Sequence, residues 1–419
     1  MSNGSGRTIV VGGGVIGLCT AYYLARAGAE VLLLERDRIG AGASSGNAGA
    51  IAPGHGPMTK PGRILQALRW MRDPTSPLYL KPRFDPRLVR WLWNFRRYCT
   101  EAHVLRSMLV LAPLGLEGRA LFDDLLEEEK LDCHFRPNGY YEVYRTQEGM
   151  EGAREEIAIQ RAHGYDTREV SGEFLREEEP SLKPGTVGGL FFPEAATLDP
   201  AKFLESLKQA AIFRGLTLRT GAEVSEVLVS GGRTEGVRLS HGEVIYGDAV
   251  VLATGAYSLK LARAGGIALP IQPAKGYHRD LSVKHGNAPT LNITFMLGER
   301  YVFCTPMGDH LRLAGTLELS GTNHRLLGRR LQNLSDSAMG YVEGMGDAKS
   351  SDDWVGLRPV TPDGMPVVGP APGVEGLFVG NGHAMLGLTL GPITGKLLAE
   401  WILEGEPSMD LSSLRPDRF

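Results

Sequence analysis

Thr8-Ile-Val-Val-Gly12-Gly-Gly14-Val15-Ile16-Gly17 is a short apolar run that breaks into glycines. Leu18, Ala21, Tyr22, Leu24 and Ala25 then recur at helical spacing until Gly28 stops the pattern, and Glu30 to Leu34 reads as a second buried strand that ends in Glu35. Strand, glycine turn, helix, strand and terminal acid in this order form a dinucleotide-binding fingerprint. Gly12 permits the sharp turn, Gly14 lets backbone approach a pyrophosphate, and Gly17 lets the helix pack close to the strand. Val15 and Ile16 open the helix, whose unpaired N–H groups and positive dipole end face the phosphates. Glu35 suits ribose hydroxyls and disfavours a 2′-phosphate, with Arg36 beside it as a further contact. The fingerprint alone leaves FAD and a nicotinamide dinucleotide both open.

Around this unit, 419 residues with 42% apolar side chains make room for two or three domains with real cores. Positive and negative side chains nearly cancel, 45 against 48. A nucleic-acid partner would ask for a basic surplus, so that class is set aside. Glycine, 55 of 419 residues, stands well above its usual share of about 7%. The amino end lacks the basic start and apolar stretch of a signal peptide, which argues against secretion, and no apolar run is long enough to span a bilayer. Cys19, Cys99, Cys133 and Cys304 are scattered without a C-x-x-C pair, so reduced thiols are expected and no metal site.

Further along, 36–57 reads as a small-residue loop passing close to a ligand. Asn138 to Arg145 reads as a turn into a strand, and 147–163 as an exposed helix. Asp199 caps a helix that Pro200 opens. Val250 to Ala256 reads as a strand ending in a small-residue turn at Thr254 and Gly255, a second place for backbone against a cofactor. After Leu377 to Gly380 comes a glycine-rich loop and a final helix from about Pro392 to Leu403.

Five segments together resemble one family: Gly12 to Glu35; Ser44-Ser45-Gly46-Asn47-Ala48-Gly49-Ala50-Ile51-Ala-Pro-Gly54; Pro273-Ala-Lys-Gly-Tyr277; Gly356-Leu-Arg358-Pro-Val-Thr-Pro-Asp-Gly-Met-Pro-Val-Val-Gly369; and Gly382-His383-Ala-Met-Leu-Gly387-Leu388-Thr389. They are similar to the FAD-dependent amine and amino-acid oxidoreductases, the family of D-amino acid oxidase, glycine oxidase and sarcosine oxidase, and most of all to its bacterial D-amino acid dehydrogenases. The resemblance runs from residue 8 to 403 and is weakest between 56 and 135. It implies an α/β fold: a discontinuous Rossmann-like FAD-binding domain (1–55, 197–262 and 347–419) and an α+β substrate domain built on an antiparallel sheet (56–196 and 263–346). The implied chemistry is oxidative deamination, in which a hydride passes from the substrate Cα to flavin N5 and the imino acid left behind hydrolyses to a 2-oxo acid and ammonia. Electrons then pass to a quinone, a respiratory carrier or a dye.

The same resemblance implies roles. Arg358 grips the substrate carboxylate, because a guanidinium fork matches two carboxylate oxygens. Arg312 is a second carboxylate contact. Tyr277 lies near the substrate, with a buried core tyrosine as the competing reading, and His383 contacts flavin or substrate. FAD is expected to meet Gly12, Gly14, Val15, Ile16, Gly17, Glu35, Arg36, Ser44, Ser45, Asn47, Ala48, Gly49, Ile51, Val224, Thr254, Gly255, Gly356, Arg358, Gly382, Gly387, Leu388 and Thr389. The amino end of the last helix then points at the flavin N1/C2=O edge, where reduction places charge. Asn47 stands at the family's amino-terminal attachment position and Cys304 matches no cysteine site, so noncovalent FAD is expected. Competing readings are an oxidase or dehydrogenase of glycine, sarcosine or a cyclic D-imino acid such as D-proline or cis-4-hydroxy-D-proline, a flavin-holding subunit without its own substrate, and a nicotinamide enzyme.

Residues 60–106 carry eleven Lys or Arg against Asp73, Asp85 and Glu101, together with Trp70, Trp91 and Trp93. One reading is a solvated helix pair in the substrate domain. The other is a docking surface for anionic lipid, which would place a cytoplasmic protein at the inner face of the cell membrane, beside a quinone acceptor.

Overall fold

The glycine-broken run at the amino end forms an inner strand of a six-stranded sheet in the computed structural model, which describes residues 6–71, 76–81, 83–284 and 288–419. The strand order is Val367–Pro370, Leu377–Asn381, Ala249–Leu252, Thr8–Val11, Val31–Leu34, Thr217–Arg219; five strands run parallel and the edge strand Val367–Pro370 is antiparallel. Such a sheet needs cover on both faces, which is why its strands are apolar without alternation. Val10, Leu33 and Val251 pack on one face against the helices Val15–Arg26, Pro200–Phe213 and Gly387–Glu404. Ile9, Val11, Leu34, Val250 and Leu252 pack on the other against an antiparallel meander, Val224–Ser230, Arg233–Leu239 and Val244–Tyr246. Asp199 caps its helix as expected, accepting from the N–H of Ala201 (2.9 Å) and of Lys202 (3.2 Å).

The second sheet has nine strands and is largely antiparallel. Its order is Ser350–Val360, Gln272–Ser282, His310–Leu319, Val302–Met307, Phe295–Leu297, Tyr140–Tyr144, Gly188–Phe192, Arg168–Ser171, and Leu78–Leu80 joins His310–Leu319 off this path. Phe295–Leu297 and Tyr140–Tyr144 pair in parallel.

Two features differ from the expected division of the chain. Ser350–Val360, placed with the nucleotide unit by a boundary at 347, is an edge strand of the large sheet, paired along Gln272–Ser282. Helix Glu101–Glu129, placed in the substrate unit, buries Leu111, Leu114, Leu121, Phe122 and Leu125 in the core that covers the nucleotide sheet. The last helix also begins at Gly387 rather than near Pro392. Pro392 removes one N–H bond, and burial of Leu388, Leu390 and Ile393 around it holds the turn.

In the basic segment, Arg72 and Asp73 lie outside the described residues. Helix Pro86–Tyr98 turns Leu88, Trp91 and Phe95 inward and leaves Val89, Arg90, Trp93 and Arg97 on its exposed face. The three tryptophans therefore do not form one surface cluster: Trp91 donates from its indole N–H to the Val360 carbonyl (3.2 Å), and Trp70 packs edge-on to Tyr301. The four cysteines are unpaired. Among the described residues no helix is long and apolar enough to cross a membrane.

Candidate active site

A cleft of about 1200 Å³ runs from the ends of the parallel strands along one face of the large sheet. At one end it is lined by Glu35, Arg36, Val224, Thr254 and Gly255, in the middle by Gly12, Gly14, Val15, Ile16, Ser44, Asn47 and Ala48, and at the other by Gly356, Arg358, His383, Gly387, Leu388 and Thr389.

From the first end to the middle the wall is shaped by backbone. Gly12 has φ +108°, and a Cβ there would stand 2.6 Å from the Ala253 carbonyl oxygen. A Cβ on Gly17 would run into the carbonyl of Gly12. Glu35 closes the turn: its carboxylate accepts from the N–H of Gly13 (2.7 Å) and of Asp37 (2.8 Å). The Ser44 hydroxyl accepts from the Val15 N–H (3.0 Å) at the helix start. The Arg36 guanidinium lies 3.9 Å over the ring of Tyr257.

Five residues expected at the cofactor stand outside the cleft lining: Gly17, Ser45, Gly49, Ile51 and Gly382. Gly17 is where helix and strand close on each other, Ile51 is in the core, and the Ser45 hydroxyl donates to the Gly40 carbonyl. They shape the wall from behind.

At the other end Arg358 is brought in by the edge strand Ser350–Val360. Its guanidinium lies where a Cβ of Gly276 would be, on the neighbouring strand, and one arm donates to the Thr316 carbonyl (2.8 Å). Among the described residues no carboxylate pairs with it. Desolvation lowers its pKa to about 10, so it stays a cation at neutral pH. His383 is buried; its Nε2 is 3.0 Å from the Thr394 hydroxyl and its Nδ1 has no partner among the described residues. Burial pushes its pKa down to about 3, so this ring is neutral.

Two expected substrate contacts are corrected. Arg312 does not line the cleft: its guanidinium is held by both oxygens of Asp280 (2.8 Å each) and by the carbonyls of Ser45 (3.2 Å) and Asn47 (3.0 Å). It ties the 44–49 loop to the sheet, as does His278, 3.0 Å from the Gly46 carbonyl. Tyr277 is next to Gly276 on the strand, and successive side chains leave opposite faces. Its side chain accordingly leaves the face opposite Arg358 and donates to the buried Glu318 (2.8 Å). Tyr277 therefore borders the cleft by its place on the strand, while its hydroxyl belongs to the core.

A group that sequence reasoning missed lines the same cleft. Lys60 pairs with Glu156 (2.6 Å), Tyr144 donates to Glu142 (2.7 Å), and His55 stands nearby. Burial and the charge of Glu156 raise Glu142 to about 7. The alternation in Tyr140–Tyr144 told of a strand and of two faces, but nothing local says which face looks onto a cleft.

The lining fits FAD on this structure's own features: a glycine turn without room for side chains, a helix start whose first N–H groups have no partner within the helix, and the orphaned His383 Nδ1. A family model described as FAD dependent oxidoreductase matches residues 7–401. The chain belongs to that family. Among its relatives, a D-amino acid dehydrogenase of Methylobacterium nodulans is 36% identical, over 98% of this chain and 99% of the relative. Glycine oxidase from Geobacillus kaustophilus shares the fold with a TM-score of 0.79 at 24% identity, over 99% of each chain. L-proline dehydrogenase from P. horikoshii does so with a TM-score of 0.76 at 20% identity, over 99% of this chain and 97% of that one.

Proposed function

We propose that this flavoenzyme deaminates D-amino acids oxidatively, as its relatives' name indicates, and passes the electrons to a quinone or similar carrier. One observation carries the substrate class: Arg358 is a desolvated guanidinium facing the cleft without a carboxylate partner among the described residues. A half-buried, desolvated cation calls for an anion, and an amino acid brings one. Bound FAD would supply the two-electron acceptor for the hydrogen that leaves the substrate Cα as hydride. Arg358 then fixes the carboxylate, so that the bond to be broken keeps one orientation. Neutral His383 adds no charge to the site and at physiological pH offers a hydrogen bond. The start of helix Gly387–Glu404 presents its positive end to the cofactor. Noncovalent binding is the reading for FAD: Asn47 lines the cleft where attachment would be expected, and Cys304 is fully buried.

Leu65 and Leu68 on helix Arg63–Trp70, and Phe84, Val89 and Trp93 in and before helix Pro86–Tyr98, are exposed, as are Arg69, Arg87, Arg90 and Arg97. Exposed apolar and basic side chains in one stretch of chain suit an anionic membrane, the place of a quinone acceptor.

The test is anaerobic. Purified protein is mixed in turn with D-alanine, L-alanine, D-proline and glycine while the visible flavin band is followed. Bleaching by D-amino acids, with slow return of colour in air, is the expected result. Bleaching by glycine or D-proline alone moves the substrate to the imino or glycine class, and a bound flavin that nothing reduces overturns the proposal.

A further inference from the structure

Register places a continuous row across the large sheet. Ala314 pairs with Phe303, Phe303 with Met296, and Met296 with Glu142, so the four share one face on successive strands, and all four line the cleft. The Arg358 guanidinium stands beyond the Ala314 end, over Gly276 of the neighbouring strand and bonded to the Thr316 carbonyl. From the Gly276 strand to Glu142 is four strand spacings, about 19 Å at the usual 4.8 Å each. That span is too long for the carboxylate and amine of a single α-carbon. Between the two ends the floor is Phe303 and Met296, with Tyr140 and Phe192 close by.

The charge of the far wall is one-sided. Glu142, Glu148, Glu155, Glu156 and Glu299 line it, against Lys60 and Arg63. Lys60 is taken by Glu156, and Arg63 bonds the Met58 carbonyl and the Gln66 amide oxygen. Among the described residues, Glu142 receives only the Tyr144 hydroxyl.

Resting on the reading of Arg358 as the carboxylate anchor, we propose that the cleft selects D-amino acids whose side chain ends in a cation, such as D-lysine or D-arginine, and that Glu142 receives that cation. The methylenes lie along Phe303 and Met296, apolar surface that a long stem covers, and the terminal nitrogen meets the carboxylate. An ion pair formed away from water is strong enough to set preference, and an uncharged chain of equal length leaves Glu142 without it.

The ionisation of Glu142 supplies a second readout. Groups facing it are Glu156, Lys60, His55, Tyr140 and Tyr144; burial and Glu156 raise it, while Lys60 and the Tyr144 hydrogen bond pull it down. The ionised form binds the cation. The KM for D-lysine should therefore fall as pH rises through about 7, and the KM for D-norleucine should not follow it.

The experiment is steady-state kinetics of the holoenzyme with a dye acceptor, comparing D-lysine with D-norleucine in wild type, Glu142→Gln and Glu142→Asp, each checked for full flavin content. The expected result is a kcat/KM ratio favouring D-lysine by tenfold or more in wild type, a ratio near or below one in Glu142→Gln, and partial recovery in Glu142→Asp. Preference of the wild type for D-norleucine, or a ratio that survives Glu142→Gln, overturns the inference and leaves the Arg358 reading standing. If no D-amino acid reduces the flavin, both fall together.

Discussion

The two ends of the cleft are made of different material. At the nucleotide end the wall is backbone, held by Gly12 at positive φ and by a Gly17 contact that leaves no room for a Cβ. At the sheet end it is side chains, Arg358, Phe303, Met296 and Glu142, each from a different strand. Backbone walls bind what is common to every turnover, the cofactor. Side-chain walls can change one residue at a time, which is what discrimination among substrates requires.

This contrast orders the expected effects. The largest falls at the backbone end: Gly17→Ala should abolish bound flavin and most soluble protein, whereas Gly328→Ala, with open space around it, should purify yellow; the 450 nm band per protein decides. A Gly17→Ala protein that keeps its flavin would show that the helix and strand can part. Next is Arg312→Met. It takes the guanidinium from the buried Asp280, which keeps His310 (3.4 Å) and His278 (3.8 Å) as neighbours, for a loss of about 3 kcal/mol in denaturant unfolding. Because Arg312 is turned from the cleft, KM should change much less than stability; the reverse pattern would return it to the substrate.

Arg358→Lys comes third. Loss of the planar fork should lower kcat/KM for every D-amino acid about a hundredfold, close to 3 kcal/mol, with flavin content unchanged. The fourth effect concerns pH. His383 is held neutral in the fold with a pKa of about 3, below the ordinary value of about 6.5. Below that value the unfolded chain takes a proton that the folded chain refuses. Stability is thus lost as pH falls from about 6.5 toward 3, by about 1.4 kcal/mol per pH unit. Compared with His383→Asn, the wild type should lose about 2 kcal/mol more between pH 6.5 and 5, and parallel profiles would contradict this. The smallest effect is outside the cleft: Arg90→Gln and Arg97→Gln should each weaken sedimentation with anionic vesicles by about 1 kcal/mol, and equal sedimentation would remove the lipid surface.

How much was legible follows the same line. The fingerprint from Thr8 to Glu35 could be read because its contacts are local: turn, helix start and closing acid are all within one βαβ unit. Arg358 could be placed through its motif. Tyr277 could not, because one position along a strand changes the face, and a register shift lies between Lys275 and Tyr277. Arg312 needed its partner Asp280, 32 positions away in sequence and directly across the sheet. The Glu142 group needs three separate stretches, around 55–60, 142–144 and 156, and no motif announces such a meeting.

The most direct test of the anchor is an equilibrium one. Holoenzyme is titrated with an unreactive carboxylate such as propionate, and binding is followed by perturbation of the flavin band, in wild type and in Arg358→Lys. The account predicts saturable binding to the wild type and a dissociation constant raised about a hundredfold in the variant, with the flavin still bound. Equal affinity in the two proteins would contradict it, and the substrate carboxylate would have to be held elsewhere.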